Sequence, residues 1–176
     1  MNTERVLEKL NKVYKELGYK NALAAPKLEK IVVNIGFGRL KDDKKFIESV
    51  TKDVSLITGQ APNCRSAKKS IAGFKLREGD VVGIAVTLRG KRMWDFYEKL
   101  TSIVFPRFRD FKGFSKKAMD KNGNYSLGIT DHTVFSEIDA NKVDKIKSLQ
   151  IVLVTSTNNS DLSYKFLKIL GFPFRD

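Results

Sequence analysis

The sequence predicts an α+β fold: an antiparallel or mixed sheet with helices on one side, built on a split βαβ (ferredoxin-like) core with an inserted hairpin and a basic loop. Three observations carry that prediction. Residues 81–89 alternate with a period of two, placing Val82, Ile84, Val86 and Leu88 on one face and Gly83, Ala85, Thr87 and Arg89 on the other. Residues 42–58 and 91–104 repeat their apolar side chains at helical spacing. With a first helix and the stretch 106–148 set aside, the elements run strand, helix, strand, strand, helix, strand.

Each element has a local reason. Thr3 is placed to cap a first helix whose Val6, Leu7, Leu10, Val13, Tyr14 and Leu17 share a face, and Gly18 stops it. Leu28 to Ile35 reads as a strand with Ile31, Val33 and Ile35 on one side and Lys30, Val32 and Asn34 on the other. The second helix lines up Phe46, Ile47, Val50, Val54 and Ile57, with Gly59 after its end. Residues 69–77, though weakly alternating, pair with 81–89 across Glu78-Gly79-Asp80. The third helix places Met93, Phe96, Tyr97, Leu100, Ile103 and Val104 inward, up to Pro106. Asn122-Gly123 signals a hairpin returning through Tyr125 to Ile129. Leu149 to Thr155 is apolar on both faces, as a central buried strand is. Ser160 caps a last helix that Gly171 ends.

Composition narrows the function. The chain has 176 residues, no internal repeat and no low-complexity linker, so residues 1–176 are expected to form a single domain. Its 33 Lys and Arg against 20 Asp and Glu leave a formal charge of +13. The charge is clustered: Arg65 to Arg77 holds five basic residues and no acidic one. Uncompensated cations so dense cost self-repulsion unless a polyanion meets them, and the commonest polyanion is nucleic acid. A second basic stretch, Pro106 to Lys117, carries five positive charges, one Asp and three Phe. A single cysteine, Cys64, excludes an intrachain disulfide and a cysteine-rich zinc site. No apolar run reaches the roughly 18 residues of a membrane span, and the charged N-terminus has no secretory-signal core. A soluble cytoplasmic protein is expected.

Catalysis has little support. His132 is the sole histidine and reads as a polar surface or loop residue; no metal-ligand spacing occurs and no cofactor loop is complete. Gly36-Phe37-Gly38 after a strand reads as a turn, since the third glycine of a dinucleotide fingerprint is missing. Binding features are richer. Arg65, Lys68, Lys69, Lys75 and Arg77 suit successive phosphates, and Arg89, Lys91 and Arg92 extend that surface. Asn34, Gln60 and Thr87 suit ribose hydroxyls or base edges. Phe105, Phe108, Phe111 and Phe114 recur every three positions; core anchoring outweighs base stacking for them.

Several motifs, in order, carry a resemblance: KLEKIVVNIGFG (Lys27 to Gly38), TGQAPNCRSAKKSIAGFKLREGD (Thr58 to Asp80), VTLRGKRM (Val86 to Met93), FPRFRDFKGFS (Phe105 to Ser115), GNYSLGI (Gly123 to Ile129) and the ending GFPFRD. Together they resemble the bacterial form of ribosomal protein five of the large subunit. The resemblance implies a structural constituent of the large ribosomal subunit without catalytic activity or cofactor. It implies binding of 5S ribosomal RNA and its attachment in the central protuberance among the large-subunit rRNA. It further implies contact with P-site transfer RNA and an intersubunit bridge to protein thirteen of the small-subunit head. By position, Asn34, Gln60, Arg65, Lys68, Lys69, Thr87, Arg89 and Arg92 fall to 5S RNA. The loop Phe74, Lys75, Leu76, Arg77, Glu78, Gly79 and Asp80 falls to transfer RNA and the small subunit. No membrane and no small-molecule substrate is implied. The alternatives are a general RNA-recognition module, which would need exposed aromatics on its central strands, and a ribosome-associated regulator.

Overall fold

The computed structural model describes residues 10, 12–19, 21, 23–38, 43–109, 111–140, 143 and 145–175. Thr3 and the start of the first predicted helix lie outside these residues; residues 12–16 are helical, and Gly18 follows at φ +71°. The elements then run β1 (Leu28–Gly36), α1 (Lys44–Thr58), β2 (Asn63–Ser66), β3 (Val81–Leu88), α2 (Gly90–Lys99), β4 (Tyr125–Ile129), β5 (Leu149–Thr155) and α3 (Ser160–Ile169). The five strands form an antiparallel sheet in the order β2-β3-β1-β5-β4. Without β4, that order is the expected split βαβ core, with β1 between β3 and β5. β4 is the inserted strand, added at the edge beside β5.

The chain forms two compact units. One gathers the described residues of 1–31, 89–127 and 152–175, the other those of 32–88 and 128–151. In the first, aromatic rings make the core. Phe105 is fully buried and meets Phe114 edge-on with centroids 4.8 Å apart, and Phe114 stacks on Phe172 at 5.2 Å. Phe111 lies 5.1 Å from Phe114. The three-residue Phe spacing is therefore core anchoring, as expected. The Tyr125 hydroxyl donates to the Ser115 carbonyl at 2.9 Å, and burial pushes its pKa up to about 12.

Two expectations about this unit change. The α-helical spacing predicts Ile103 in the core, but a π-helical turn over Leu100–Val104 widens the helix there. The register shifts, so Leu100, Val104 and Phe105 are buried and Ile103 is exposed. The cap of α3 is Asn159, whose Oδ1 accepts from the N–H groups of Asp161 and Leu162; Ser160 is the first helical residue. Thr155 and Ser163 are buried polar residues whose hydroxyls lie 2.7 Å apart, and Thr155 also reaches the Gly123 carbonyl at 3.0 Å. Gly123 thus sits inside the fold, at φ +76°, where a Cβ would lie 2.4 Å from Ser163 Oγ.

In the second unit α1 packs against β3. Val50, Val54 and Ile57 are buried as their spacing predicts, each contributing roughly 1.5–3 kcal/mol of hydrophobic burial. Asp43 Oδ1 caps the helix by accepting from Phe46 N–H at 3.0 Å, and Gly59 ends it at φ +65°. Ile31, Val33 and Ile35 of β1 are buried, with Val32 and Asn34 half-buried opposite them. β5 is less covered than its apolar sequence suggests: Leu149, Ile151, Leu153 and Thr155 are buried, but Val152 and Val154 are half-buried and Gln150 is exposed. One face of the sheet is core and the other stays partly open.

Candidate nucleic-acid interface

The strand partnered with β3 is not 69–77 but β2, in antiparallel register with Asn63 opposite Ala85, Cys64 opposite Ile84 and Arg65 opposite Gly83. All four β2 residues are exposed. A strand at the sheet edge with no buried face has no reason to alternate, so its sequence gives no period-two signal. Directly opposed residues share a face, so Asn63 and Arg65 lie on the side of Ala85 and Gly83. That is the open side, which Thr87 of β3 and Asn34 of β1 also share by alternation. β3 itself is more covered than predicted. Gly83 and Ala85 are buried, and a Cβ on Gly83 would meet the Ile35 carbonyl oxygen at 2.7 Å.

Beyond β2 the hairpin continues as an exposed extension. Its neck is closed by Ala67 N–H donating to the Asp80 carbonyl at 2.8 Å and Gly79 N–H donating to the Ala67 carbonyl at 3.0 Å. Ile71 and Leu76 exchange two backbone bonds, of 2.9 and 3.1 Å, around a 3₁₀ turn over Ala72–Phe74. Lys75 follows at φ +51°, in the left-handed region. Arg77 N–H donates to Asp80 Oδ2 at 2.9 Å, and Glu78 N–H donates to Ser70 Oγ at 2.9 Å. The extension is thus held by backbone and short polar side chains, with no core of its own. Phe74 is 74% exposed at its tip.

The structure sorts the residues chosen from sequence. Asn34, Arg65 and Thr87 share the open face. Lys68 and Lys69 are exposed just past β2. Gln60 lies between α1 and β2, and its Nε2 donates to the Thr87 carbonyl at 3.3 Å, which ties that loop to the strand. Arg89 occupies the position before α2 without a side-chain capping bond, and Arg92 lies in the first turn; both are exposed and belong to the first unit. Phe74, Lys75, Arg77, Glu78 and Gly79 are exposed on the extension, Leu76 and Asp80 less so.

Two features escape sequence reasoning. A concavity of about 410 Å³ beside Asn34 is lined by Gly36, Gly128, Thr130, Ser148 and Gln150 together with the apolar Ile129 and Leu149, an uncharged stretch in a basic chain. Gln150, the one amide in an apolar strand, is its available signal. His132 is fully buried, not a surface or loop residue. Its Nδ1 accepts from Lys147 N–H at 3.3 Å, and its own backbone N–H donates to the Lys147 carbonyl at 3.2 Å. The ring proton is therefore assigned to Nε2, 3.5 Å from Asp53 Oδ2. Lys147, also buried, donates from Nζ to that same carboxylate and to Ser49 Oγ. These residues clamp α1 to the segment leading into β5 and form no reacting constellation. Partners 15 and 94 residues apart leave no local pattern to find.

Comparison with known proteins decides among the readings. Residues 21–77 match the family described as ribosomal protein L5, and residues 81–174 match the model for the C-terminus of that same ribosomal family. The chain belongs to the ribosomal protein L5 family. The large ribosomal subunit protein uL5 of Halothermothrix orenii is 48% identical over 163 residues, covering 93% of this chain and 91% of the relative. That of Desulfosudis oleivorans is 47% identical over 174 residues, covering 99% and 96%, and that of an Anaeromyxobacter strain is 49% identical over 165 residues, covering 94% and 92%. Membership in the L5 family makes the chain a structural constituent of the ribosome and not an enzyme. In that setting the buried His132 cluster is architecture. No described helix is long and apolar enough to cross a membrane.

Proposed function

We propose that the chain binds 5S ribosomal RNA through the open side of its sheet and the edge strand β2, attaching it in the central protuberance of the large subunit. The whole chain acts as one RNA-binding domain in this reading. The single observation that carries it is β2: a strand hydrogen-bonded to a well-buried neighbour yet exposed at every residue, bearing Arg65 and running into Lys68 and Lys69. Apolar contact explains nothing about that edge; a phosphate backbone on it does. Asn34 and Thr87 on the same face supply neutral groups for ribose hydroxyls, the feature that distinguishes RNA from DNA. Gln60 acts by fixing the loop that enters β2. Arg89 and Arg92 add phosphate contacts at the start of α2.

The extension from Phe74 to Asp80 serves other partners: P-site transfer RNA and protein thirteen of the small-subunit head. An element held by its own turn geometry and no core can move without unfolding the sheet. The test is a pair of variants. Arg65→Gln with Lys68→Gln and Lys69→Gln should weaken 5S binding at least tenfold and flatten its salt dependence. Phe74→Ala with Lys75→Gln and Arg77→Gln should leave 5S binding unchanged and weaken subunit joining or transfer-RNA retention. Equal loss of both activities in both variants contradicts the division of roles. A general RNA-recognition module is disfavoured because β3 carries no aromatic residue on which bases could stack.

A further inference from the structure

We propose that His132 is a proton-operated latch: a proton on its Nδ1 turns the ring from Lys147 to Asp131 and releases the segment from Ile146 to Gln150. In the neutral state Nδ1 accepts from Lys147 N–H at 3.3 Å, and the ring proton on Nε2 makes no hydrogen bond to the described residues. A proton added to Nδ1 converts that acceptor into a donor. Lys147 N–H, also a donor, then faces it in a buried site, where an unmade backbone bond is costly. Asp131 Oδ1 lies 3.8 Å from Nδ1, too far to bond the ring in this state, and its side chain is 39% exposed. It accepts from Thr133 N–H at 2.8 Å and keeps a second lone pair for the ring. A small rotation therefore replaces a neutral bond with a charge-assisted one.

The charges around the ring favour that exchange. Asp53, from α1, faces Nε2 at 3.5 Å, but its carboxylate is already held by Lys147 Nζ, which also bonds Ser49 Oγ. A protonated ring left in place would share one carboxylate with a buried ammonium, so it is pushed towards Asp131. Lys145 is turned to Asp43 instead, at 3.7 Å. The closed latch keeps the ring neutral, since burial and then the Lys147 ammonium lower its pKa. Once open, the ring titrates near its ordinary value of about 6.5, so opening is promoted as pH falls below that value and not above it. The released segment forms part of two surface hollows. Ser148, Leu149 and Gln150 line the concavity beside Asn34, while Ile146, Lys147 and Ser148 line another of about 360 Å³ with Phe37 and Phe46. Ile146 is 68% exposed and does little to hold the segment down. The uncharged part of the open face thus changes shape with pH.

The test is amide exchange of the full chain from pH 7.5 to pH 5, in 0 and 1 M urea, with each rate divided by the intrinsic rate at that pH. Protection of Lys147 N–H should fall about tenfold or more below about pH 6.5. The fall should be insensitive to urea, because a local opening exposes little surface. His132→Asn retains an acceptor and cannot titrate, so its Lys147 protection should vary by less than about twofold over the same range. Asp131→Asn keeps the Oδ1 that caps Thr133 N–H but loses the charge, and should reduce the wild-type fall to about threefold or less. Wild-type protection independent of pH overturns the proposal, as does an equal fall in His132→Asn. A fall that follows urea with the slope of the core amides of Val54 and Ile84 also overturns it, since the proton would then act only through global unfolding. An undiminished fall in Asp131→Asn contradicts the exchange of partners, and with it the latch.

Discussion

His132 and Lys147 hold each other through two bonds that use the backbone: Lys147 N–H donates to His132 Nδ1 at 3.3 Å, and His132 N–H donates to the Lys147 carbonyl at 3.2 Å. Burial and, next, the Lys147 ammonium hold the His132 pKa below its ordinary value, against smaller opposing pulls from Asp53 and Asp131. The folded state therefore prefers the neutral ring. An unfolded chain takes up a proton as pH falls through about 6.5, the folded one only at lower pH, so stability is lost on acidification over that interval and levels off beneath it.

Chemical denaturation between pH 8 and pH 5 should record this loss, with a slope of at most about 1.4 kcal/mol per pH unit from the one proton. His132→Asn keeps an acceptor near Nδ1 and removes the titration. Its stability should stay flatter over the same range. Parallel pH profiles for the two proteins would rule the ring out as the source.

Lys147 should matter more than a surface cation. Its side chain is 4% exposed and faces an Asp53 carboxylate that is 19% exposed. Lys147→Ala leaves that carboxylate without its cation and opens space beneath α1, so it should cost about 2–4 kcal/mol in urea unfolding. Asp43 and Lys145, 3.7 Å apart and well exposed, form the comparison pair, and Lys145→Ala should change stability by less than about 0.5 kcal/mol.

Gly113→Ala should destabilise the protein by about 2 kcal/mol or more. The strained φ alone accounts for roughly half, and the clash with the Arg175 backbone supplies the rest. Amide exchange at Phe114 and Arg175 should accelerate ahead of the rest of the core.

Truncating Phe74 should behave in the opposite way. A ring 74% exposed on an extension without a core contributes little to folding, so Phe74→Ala should shift stability by less than about 0.5 kcal/mol. A loss of partner binding with no loss of stability is the signature of a contact residue.

Legibility in the sequence follows burial. β1, α1 and β3 each have one well-buried face, and Ile31, Val54 and Ile84 repeat at the period of their element. β2 is exposed throughout, so periodicity passes over it and assigns its place to 69–77, whose exposed turn has no strand pattern of its own either. Ile103 is misplaced because a π-turn changes the period mid-helix, and no residue type announces that turn. The basic residues of the site are visible as a cluster. Their grouping on one face is not, because Asn34, Arg65 and Thr87 meet only through sheet register. Family motifs reach the ribosomal assignment sooner than periodicity does, since they span residues 21–77 and 81–174 whatever the burial of each element.

The most direct test of the account is the binding of purified protein to 5S rRNA, set against a transfer RNA and an unrelated hairpin of similar size, across a salt series. The account predicts selective 5S binding that persists at high salt, with Asn34→Ala and Thr87→Val reducing the selectivity and hardly altering the salt slope. Equal binding to all three RNAs, collapsing together as salt rises, would contradict it.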